Sequence, residues 1–228
     1  MNTNDVTVVV NQYAGQAVPA QTPLHHAKLD GKSHTDARST AYATEQAANA
    51  GVQLRERELT GQLVLRIRGD LAQASKAIEP VLGIGLPDTL KFTGNPATST
   101  GPSLAWISPD EWRLLCPIDQ VFENEQKLRG ALSNVGDLSH AVVNISGGVT
   151  VLDLSGQNAL SVLKKSTGYD VRDKNFPLGK IVGTTFGKSS VQLMRTGEEN
   201  WHIIARRSFA DYLWLWIQNA AREYGLKI

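Results

Sequence analysis

Three residue types used in nucleophilic catalysis occur close together at Asp137, Ser139 and His140. A serine nucleophile needs a histidine base within hydrogen-bonding reach and a carboxylate that orients the histidine. Adjacent residues of an extended chain point to opposite faces, so the Ser139 and His140 side chains are not expected to meet. The serine also lacks the Gly-x-Ser-x-Gly turn that exposes such nucleophiles. The pattern therefore predicts a turn stabilised by Asp and Ser side chains.

A second stretch contains part of a phosphate-binding motif. Gly183 and Gly187 precede Lys188 and Ser189, but three residues separate the glycines, whereas a P-loop has four. The residues after Ser189 alternate between polar and apolar as in a strand, and no helical pattern follows. The stretch predicts a hairpin turn that uses glycine torsion angles.

The lone cysteine and the histidines are candidates for nucleophilic or metal chemistry. Cys116 ends an apolar strand pattern, which favours a small buried hydrophobic residue. His25, His26 and His34 have no spacing that places them on a common face, and no cysteine or carboxylate accompanies them. They are interpreted as solvated loop residues. His202 lies in an apolar strand and is interpreted as a partly buried, hydrogen-bonded histidine.

The composition is that of a chain able to form a core, with balanced charge. Hydrophobic residues make up 41% of the 228 residues, and 23 Lys and Arg stand against 22 Asp and Glu. Nucleic-acid binding normally requires a basic stripe that displaces counterions, so this class is disfavoured. A single cysteine excludes an internal disulfide and any multi-cysteine metal or iron–sulfur site.

The sequence predicts neither a membrane span nor a signal peptide. No apolar run approaches the roughly 18–20 residues that cross a bilayer. The apolar patch near the start, Val6 to Val10, follows Asp5 and has no Lys or Arg before it. We therefore expect a cytoplasmic protein with no membrane partner.

Residues 1–50 differ in composition from the rest. Ala, Gln, Thr, Asn, His and Lys follow the valine run, with no sustained helical or strand period before Leu54. Such a segment cannot bury enough apolar surface to offset the entropy lost on ordering. It is predicted to be a flexible arm, or a strap that orders against a partner.

Two α+β subdomains are predicted, over residues 51–136 and 137–228. In the first, alternation from Leu63 to Ile67 indicates a strand with one buried face, and Asp70 is expected to cap the helix that follows. A hairpin and a second helix, capped by Asp119, complete it. The second subdomain repeats this order of elements. The mixture predicts an α+β fold of antiparallel sheets with helices packed on one face.

The last helix is predicted from Phe209 to about Tyr224, with Ser208 as its N-cap and Gly225 as its stop. At about 100° per residue, one face collects an apolar stripe. This stripe is expected to face the core and consists of Phe209, Tyr212, Leu213, Trp216, Ile217, Ala220 and Tyr224.

A candidate partner interface lies off that stripe. Trp214 and Leu215 fall toward the side that carries Asp211, and aromatic residues are enriched at protein interfaces. The alternative explanation for an apolar pair on this side is that the chain's own N-terminal arm covers Trp214 and Leu215. Arg206 and Arg207, just before the helix, are the other candidate contacts, since they could clamp a carboxylate or phosphate or form surface salt bridges.

Several strings resemble the gamma subunit of heterotetrameric sarcosine oxidase, a relative of the folate-binding aminomethyltransferases. The resemblance covers roughly residues 51–225. It rests on the order and spacing of Leu54-Arg55-Glu56-Arg57-Glu58-Leu59, Trp106-Ile107-Ser108-Pro109-Asp110-Glu111-Trp112, Asp137-Leu138-Ser139-His140, Ser155-Gly156-Gln157-Asn158-Ala159-Leu160, Tyr169-Asp170, Phe176-Pro177-Leu178-Gly179 and Arg206-Arg207-Ser208-Phe209.

The resemblance implies an aminomethyltransferase-like fold within a four-subunit flavoenzyme. Such complexes oxidatively demethylate sarcosine and pass the one-carbon unit to tetrahydrofolate. The partners implied are the alpha, beta and delta subunits, which carry FAD, FMN, NAD, tetrahydrofolate and zinc. A complex acting on another N-methyl amino acid, such as N-methylglutamate, would look the same from this chain.

The resemblance implies no catalytic, cofactor or metal residue on this chain. True aminomethyltransferases carry a Gly-Gly-x-x-x-Asp-type segment whose acidic residue orients folate, and the corresponding stretch here, Phe186 to Val191, has no carboxylate. Whether the chain itself is an enzyme stays open. The alternatives are a free-standing folate-binding or aminomethyltransferase-like protein, and a generic α+β scaffold whose likeness is limited to the fold.

Overall fold

The computed structural model describes residues 8–13, 16–29, 50–57, 59–96 and 101–228. They form two compact units. The first unit contains the described parts of residues 21–58 together with residues 148–228. The second contains the described parts of residues 7–20 and 59–147. Each unit combines antiparallel strands with helices, which confirms the α+β class.

The described elements follow one another in a mixed order of strands and helices. The strands are β1 (Val8–Tyr13), β2 (Gln16–Ala20), β3 (Val52–Glu56), β4 (Thr60–Arg68), β5 (Phe92–Gly94), β6 (Ser103–Ser108), β7 (Glu111–Pro117), β8 (Ser139–Asn144), β9 (Val149–Ser155), β10 (Ile181–Phe186), β11 (Ser189–Gly197), β12 (Asn200–Arg206) and β13 (Leu226–Lys227). The α-helices are α1 (His25–Leu29), α2 (Leu71–Leu82), α3 (Val121–Ser133), α4 (Ala159–Ser166) and α5 (Ala210–Ala221). Short 3-10 turns cover Ile118–Gln120, Arg207–Phe209 and Arg222–Tyr224.

The second unit is a five-stranded sheet in the order β5-β6-β7-β4-β8, with β1 and β2 as a separate hairpin. The alternation read from the sequence of β4 is confirmed, because its apolar residues are buried at every second position. One core joins the sheet to α2 and α3. Its buried members are Leu63, Leu65, Ile67, Ala74, Ile78, Leu82, Leu104, Trp112, Leu114, Cys116, Val121, Leu128, Leu132 and Val142.

The two helices of this unit begin differently from each other. Asp70 Oδ1 accepts hydrogen bonds from the backbone N–H groups of Ala72 and Gln73, each at 3.0 Å, which confirms the predicted N-cap of α2. The prediction that Asp119 caps the next helix is wrong. Asp119 lies inside a 3-10 turn, and the chain enters α3 through Gln120 without a side-chain cap.

Strand β8 shows how the chain divides between the units. β8 comes after residue 137 in the chain, so the sequence places it in the second subdomain. It nevertheless pairs antiparallel with β4, from Leu63 opposite Asn144 to Arg68 opposite Ser139. β3, placed in the first subdomain by the sequence, instead pairs with β9 in the other sheet. Among the described residues, the chain therefore crosses between units near residues 20, 59 and 147.

The first unit is a six-stranded sheet in the order β10-β11-β12-β9-β3-β13. All pairings are antiparallel except that of β13 with β3, which is parallel. Helices α4 and α5 contact each other, and Trp216 Nε1 on α5 donates to Ser166 Oγ on α4 at 3.1 Å. The sheet contributes fully buried Leu54, Leu152, Leu154, Leu193 and Ile203.

Part of the predicted N-terminal arm is built into the first unit. Leu24 is fully buried, and its backbone N–H donates to Glu56 Oε1 at 3.2 Å. The same carboxylate oxygen accepts from Thr150 Oγ1 at 2.8 Å. These bonds anchor the segment before α1 to β3 and β9.

The Ser155-Gly156-Gln157-Asn158 string has a clear packing reason. Gly156 has a φ of 107°, and a Cβ there would lie 2.5 Å from the Gly51 carbonyl oxygen. Gly51 O in turn accepts from the backbone N–H of Asn158 at 2.9 Å. Only glycine permits this close approach of two backbones.

Within the described ranges, none of the helices is long and apolar enough to cross a bilayer.

Candidate functional site

The predicted interface residues lie at the start of the last helix. The C-terminal end of β12 and the 3-10 turn place Arg206 and Arg207 on the surface, where both are exposed. Leu215 is 39% exposed, and Phe209, which was expected in the core, is also 39% exposed. The structure thus places Leu215 and the two arginines on the outside of the first unit.

The expectation that Trp214 is exposed is wrong, because Trp214 is only 3% exposed. The buried stripe of α5 is rotated relative to the prediction and consists of Ala210, Leu213, Trp214, Ile217 and Ala221. Gly225, with a φ of 72°, does end the helical segment as predicted. Ser208 is not the N-cap, since it lies inside the 3-10 turn that precedes α5.

The N-terminal segment meets the side of α5 that carries Trp214. His26 Nε2 lies 3.4 Å from Asp211 Oδ1. Residues three apart on a helix are surface neighbours, so Asp211 marks the edge on which Trp214 lies. This contact joins the N-terminal segment to the first turn of α5. Leu215, one position further round the helix, keeps an exposed apolar surface.

The Phe186–Ser189 turn occupies the position that the resemblance assigns to a folate-orienting acid. It is a tight hairpin, with Phe186 opposite Ser189, which confirms the hairpin prediction. Tyr212 OH accepts from the Lys188 backbone N–H at 3.0 Å. A Cβ on Gly187 would lie 2.6 Å from that hydroxyl and 3.2 Å from the Trp216 ring. Tyr212 and Trp216 of α5 thus pack against this turn, and the stretch from Phe186 to Val191 has no carboxylate.

A row of charged residues crosses one face of the first unit's sheet. Arg55, Asp153 and His202 are direct cross-strand partners on β3, β9 and β12, so their side chains share a face. Arg57 Nε, just after β3, lies 3.0 Å from Asp153 Oδ1 and 3.1 Å from Oδ2. His202 Nε2 lies 3.2 Å from Oδ1, and Arg55 Nη2 lies 3.6 Å from Oδ2.

Burial sets the protonation state of His202 within this row. His202 is 3% exposed, and burial lowers its pKa from 6.5 to about 4, with Asp153 opposing and Arg57 adding to the shift. His202 is therefore a neutral imidazole at pH 7. Because Asp153 is held by Arg57 and flanked by Arg55, the row has the character of a structural ion pair.

Sequence reasoning predicted a partly buried, hydrogen-bonded His202 but did not find the rest of the row. The buried position of His202 and its contact with Asp153 agree with that prediction. The detectable signal for Asp153 is a charge within the apolar run Val151 to Leu154. That pattern indicates an acid at least partly enclosed by the sheet, but it does not identify the basic partner from a distant strand.

The remaining chemical candidates do not assemble into a catalytic group. Ser139 and His140 are consecutive residues of β8, and the described partner of His140 Nε2 is Ser133 Oγ, at 3.4 Å. Cys116 is 3% exposed, and burial raises the pKa of its thiol to about 11, which confirms a structural cysteine.

Within the described ranges, no group of three His, Cys, Asp or Glu residues is arranged so that it could hold a metal ion. Of the three N-terminal histidines, His26 faces Asp211, and His34 lies outside the described residues.

The chain is similar to proteins of one family along most of its length. Residues 68–223 match the model of the sarcosine oxidase, gamma subunit family. The chain is 31% identical to "Sarcosine oxidase subunit gamma" of Corynebacterium sp. (strain P-1) over 192 residues, which covers 82% of this chain and 89% of that relative.

Two solved structures have a similar fold. A chain of the heterotetrameric sarcosine oxidase from Corynebacterium sp. U-96, in complex with pyrrole 2-carboxylate, aligns with a TM-score of 0.71 and 27% identity, covering 90% of this chain and 96% of that one. The glycine cleavage system aminomethyltransferase T from Bartonella henselae aligns with a TM-score of 0.58 and 13% identity, covering 94% of this chain and 54% of that one. The second likeness shows a shared fold.

Proposed function

This chain belongs to the sarcosine oxidase gamma subunit family, and from that premise we propose that it is the non-catalytic gamma subunit of a heterotetrameric sarcosine oxidase. The observation that carries the proposal is the alignment with a chain of such a complex over nearly the full length of both chains.

We propose that the chain works by supporting the flavin-bearing subunits. Its partners are then the alpha, beta and delta subunits, and the complex oxidises the N-methyl group of sarcosine and passes the one-carbon unit to tetrahydrofolate. FAD, FMN, NAD, tetrahydrofolate and zinc belong to those partners in this proposal. The complex is cytoplasmic in this proposal.

Two features support a structural role for this chain. The half-buried acid Asp153 is bound by Arg57 and His202 of the same chain, which leaves it poorly placed to act on a substrate. The turn that would orient folate in an aminomethyltransferase is filled by Tyr212 and Trp216. Catalytic groups need access to the reacting atoms, and neither feature provides it.

The test is purification of the complex from the native host through an affinity tag on this chain. We expect three other chains in the eluate, together with flavin absorbance and sarcosine-dependent oxygen consumption. A tagged variant with Leu24→Asp, which places a charge at a fully buried position, should lose the fold and the partners, and serves as the control for capture by the tag alone.

A colourless eluate that contains this chain alone would contradict the proposal. In that case titration with tetrahydrofolate becomes decisive. Binding of one equivalent by the isolated chain would indicate a free-standing folate-binding protein, and the absence of binding would leave only the shared fold.

A further inference from the structure

An open cleft of about 610 Å³ lies within the first unit. Three stretches line it: the entry to α4 from Gly156 to Leu160, the loop from Asp173 to Leu178, and the β11–β12 hairpin from Arg195 to Trp201. None of these residues belongs to the interface candidates on α5. The cleft is therefore a second surface feature that the proposed function has not used.

Arg195 fixes the shape of the cleft. Its guanidinium donates to Asp173 Oδ1 at 2.6 Å, to Phe176 O at 2.9 Å and to Glu198 O at 3.1 Å. These bonds join the loop to the β11–β12 hairpin. The Arg195 side chain is only 9% exposed, whereas that of Asp173 is 77% exposed, so the buried guanidinium connects the loop to the hairpin from the inner side of the cleft.

The cleft carries a net negative charge. Asp173, Glu198 and Glu199 place three carboxylates around it, against the single guanidinium of Arg195. Arg195 is already bound to Asp173, whereas the Glu198 and Glu199 side chains are exposed and form no ion pair with any described residue. A cationic group entering the cleft would thus meet two carboxylates that have no competing partner.

An apolar surface accompanies the charge. Leu178 is 60% exposed at the edge of the cleft, and Leu160 and Pro177 contribute further lining. Trp201 forms part of the wall, is 2% exposed, and its Nε1 has no hydrogen-bond acceptor among the described residues. An exposed leucine beside unpaired carboxylates suits a segment that combines a basic side chain with an apolar neighbour.

We propose that this cleft is the docking site for a lysine- or arginine-bearing segment of a partner subunit. The basic side chain enters between Glu198 and Glu199, and its apolar neighbour packs on Leu178. The proposal rests on the proposed function, since it assumes that the chain assembles with other subunits. Charge complementarity favours this basic occupant and disfavours a cleft-to-cleft contact between two copies of the chain, because the two clefts would present like charges.

The experiment measures binding of this chain to the other three subunits, co-purified from a host that lacks it. The variant Glu198→Lys/Glu199→Lys reverses the charge of two exposed residues, and its thermal unfolding should match that of the original chain. We expect its dissociation constant to rise by at least about tenfold, with a weaker dependence on salt. Leu178→Asp should weaken binding as well.

Glu79→Lys is the matched control, because it reverses an exposed carboxylate in the last turn of α2, where a lysine suits the helix end. It should bind as the original chain does. If both cleft variants also bind as the original chain does, the cleft proposal is wrong while the subunit assignment stands. If the original chain itself joins no complex, the proposed function is wrong, and the cleft proposal that rests on it is wrong as well.

Discussion

Arg57 Nε donates to both carboxylate oxygens of Asp153, at 3.0 and 3.1 Å, although the two residues are 96 positions apart in the sequence. The bond joins the exit of β3 to the middle of β9, in a region where His202 is buried. Such a pair fixes the register of two strands, because a shift by one residue would turn Asp153 to the opposite face.

Removal of Asp153 should destabilise the first unit. Arg57 is 7% exposed, so Asp153→Ala leaves a buried guanidinium without this partner. Breaking a buried pair costs about 3–5 kcal/mol, and we expect about 2–3 kcal/mol here because the Asp153 side chain is 21% exposed. Urea unfolding measures the change. Arg55→Ala, at a side chain 68% exposed, should shift the free energy of unfolding by less than about 0.5 kcal/mol.

His202 should make stability depend on pH. Its folded pKa is about 4 and its ordinary value is 6.5, so the unfolded chain binds a proton in this window that the folded chain does not. The free energy of unfolding therefore falls as the pH drops from about 6.5 to 4, by an amount on the order of 3 kcal/mol. His202→Gln should remove this part of the slope. His140→Gln should keep it, and equal slopes in all three proteins would refute the assignment.

Gly187 should not tolerate a side chain. Its φ of 57° is left-handed, and a Cβ would lie 2.6 Å from Tyr212 OH. We expect Gly187→Ala to lower the free energy of unfolding by about 2 kcal/mol through backbone strain and the displaced helix contact. Gly183→Ala is the control, since nothing lies within 4 Å of a Cβ there, and it should change stability by less than about 1 kcal/mol in either direction.

Substitutions at Trp214 and Leu215 should have different effects, one on the stability of the fold and the other on association with partner subunits. Trp214→Ser removes a side chain that is 3% exposed and should cost about 3–5 kcal/mol of stability with or without partners. Leu215→Ser should leave the unfolding temperature within a few degrees and weaken binding to the partner subunits. Asn219→Ser, one turn further along α5 and also exposed, is the control. Unchanged binding by Leu215→Ser would show that the exposed side of α5 at Leu215 is not part of the interface.

Cys116 should be inert in the folded chain. Burial raises the pKa of the thiol to about 11 from 9.0, so the thiolate fraction near neutral pH is about 100-fold below that of an unperturbed thiol. Reaction with a disulfide reagent should be at least that much slower in buffer than in concentrated urea. Similar rates in the two solvents would show that the strand carrying Cys116 opens readily.

Local features of the fold were predictable from the sequence. The strand period around Leu63 and Leu65, the Asp70 cap and the Phe186–Ser189 hairpin all depend on residues close together in the chain. Each has a physical signal within a few consecutive residues: alternation of apolar and polar side chains, an aspartate just before a helix, or a glycine in a turn. These predictions are confirmed.

Long-range pairings were not predictable in the same way. Nothing within β8 indicates that it pairs with β4, because any strand of suitable pattern satisfies its backbone groups equally well. The contact between His26 and Asp211 joins α5 to a segment that lies far earlier in the sequence. The Arg57–Asp153 pair is also a long-range contact, since its residues are 96 positions apart in the sequence. The candidate partner surface was therefore only partly predictable, since exposure depends on which distant segment covers each face.

The parallel pairing of β13 with β3 also determines when the chain can finish folding. Gly51 N–H donates to Tyr224 O at 2.9 Å, and Val52 lies opposite Leu226, so the outermost strand of this sheet is supplied by residues 226–227. On the ribosome, residues 59–147 emerge together and can assemble their sheet while the rest is being made. β3 must wait with an unpaired edge until β9 and then β13 emerge. Until then that edge presents unpaired backbone N–H and C=O groups, which are a template for pairing with other chains.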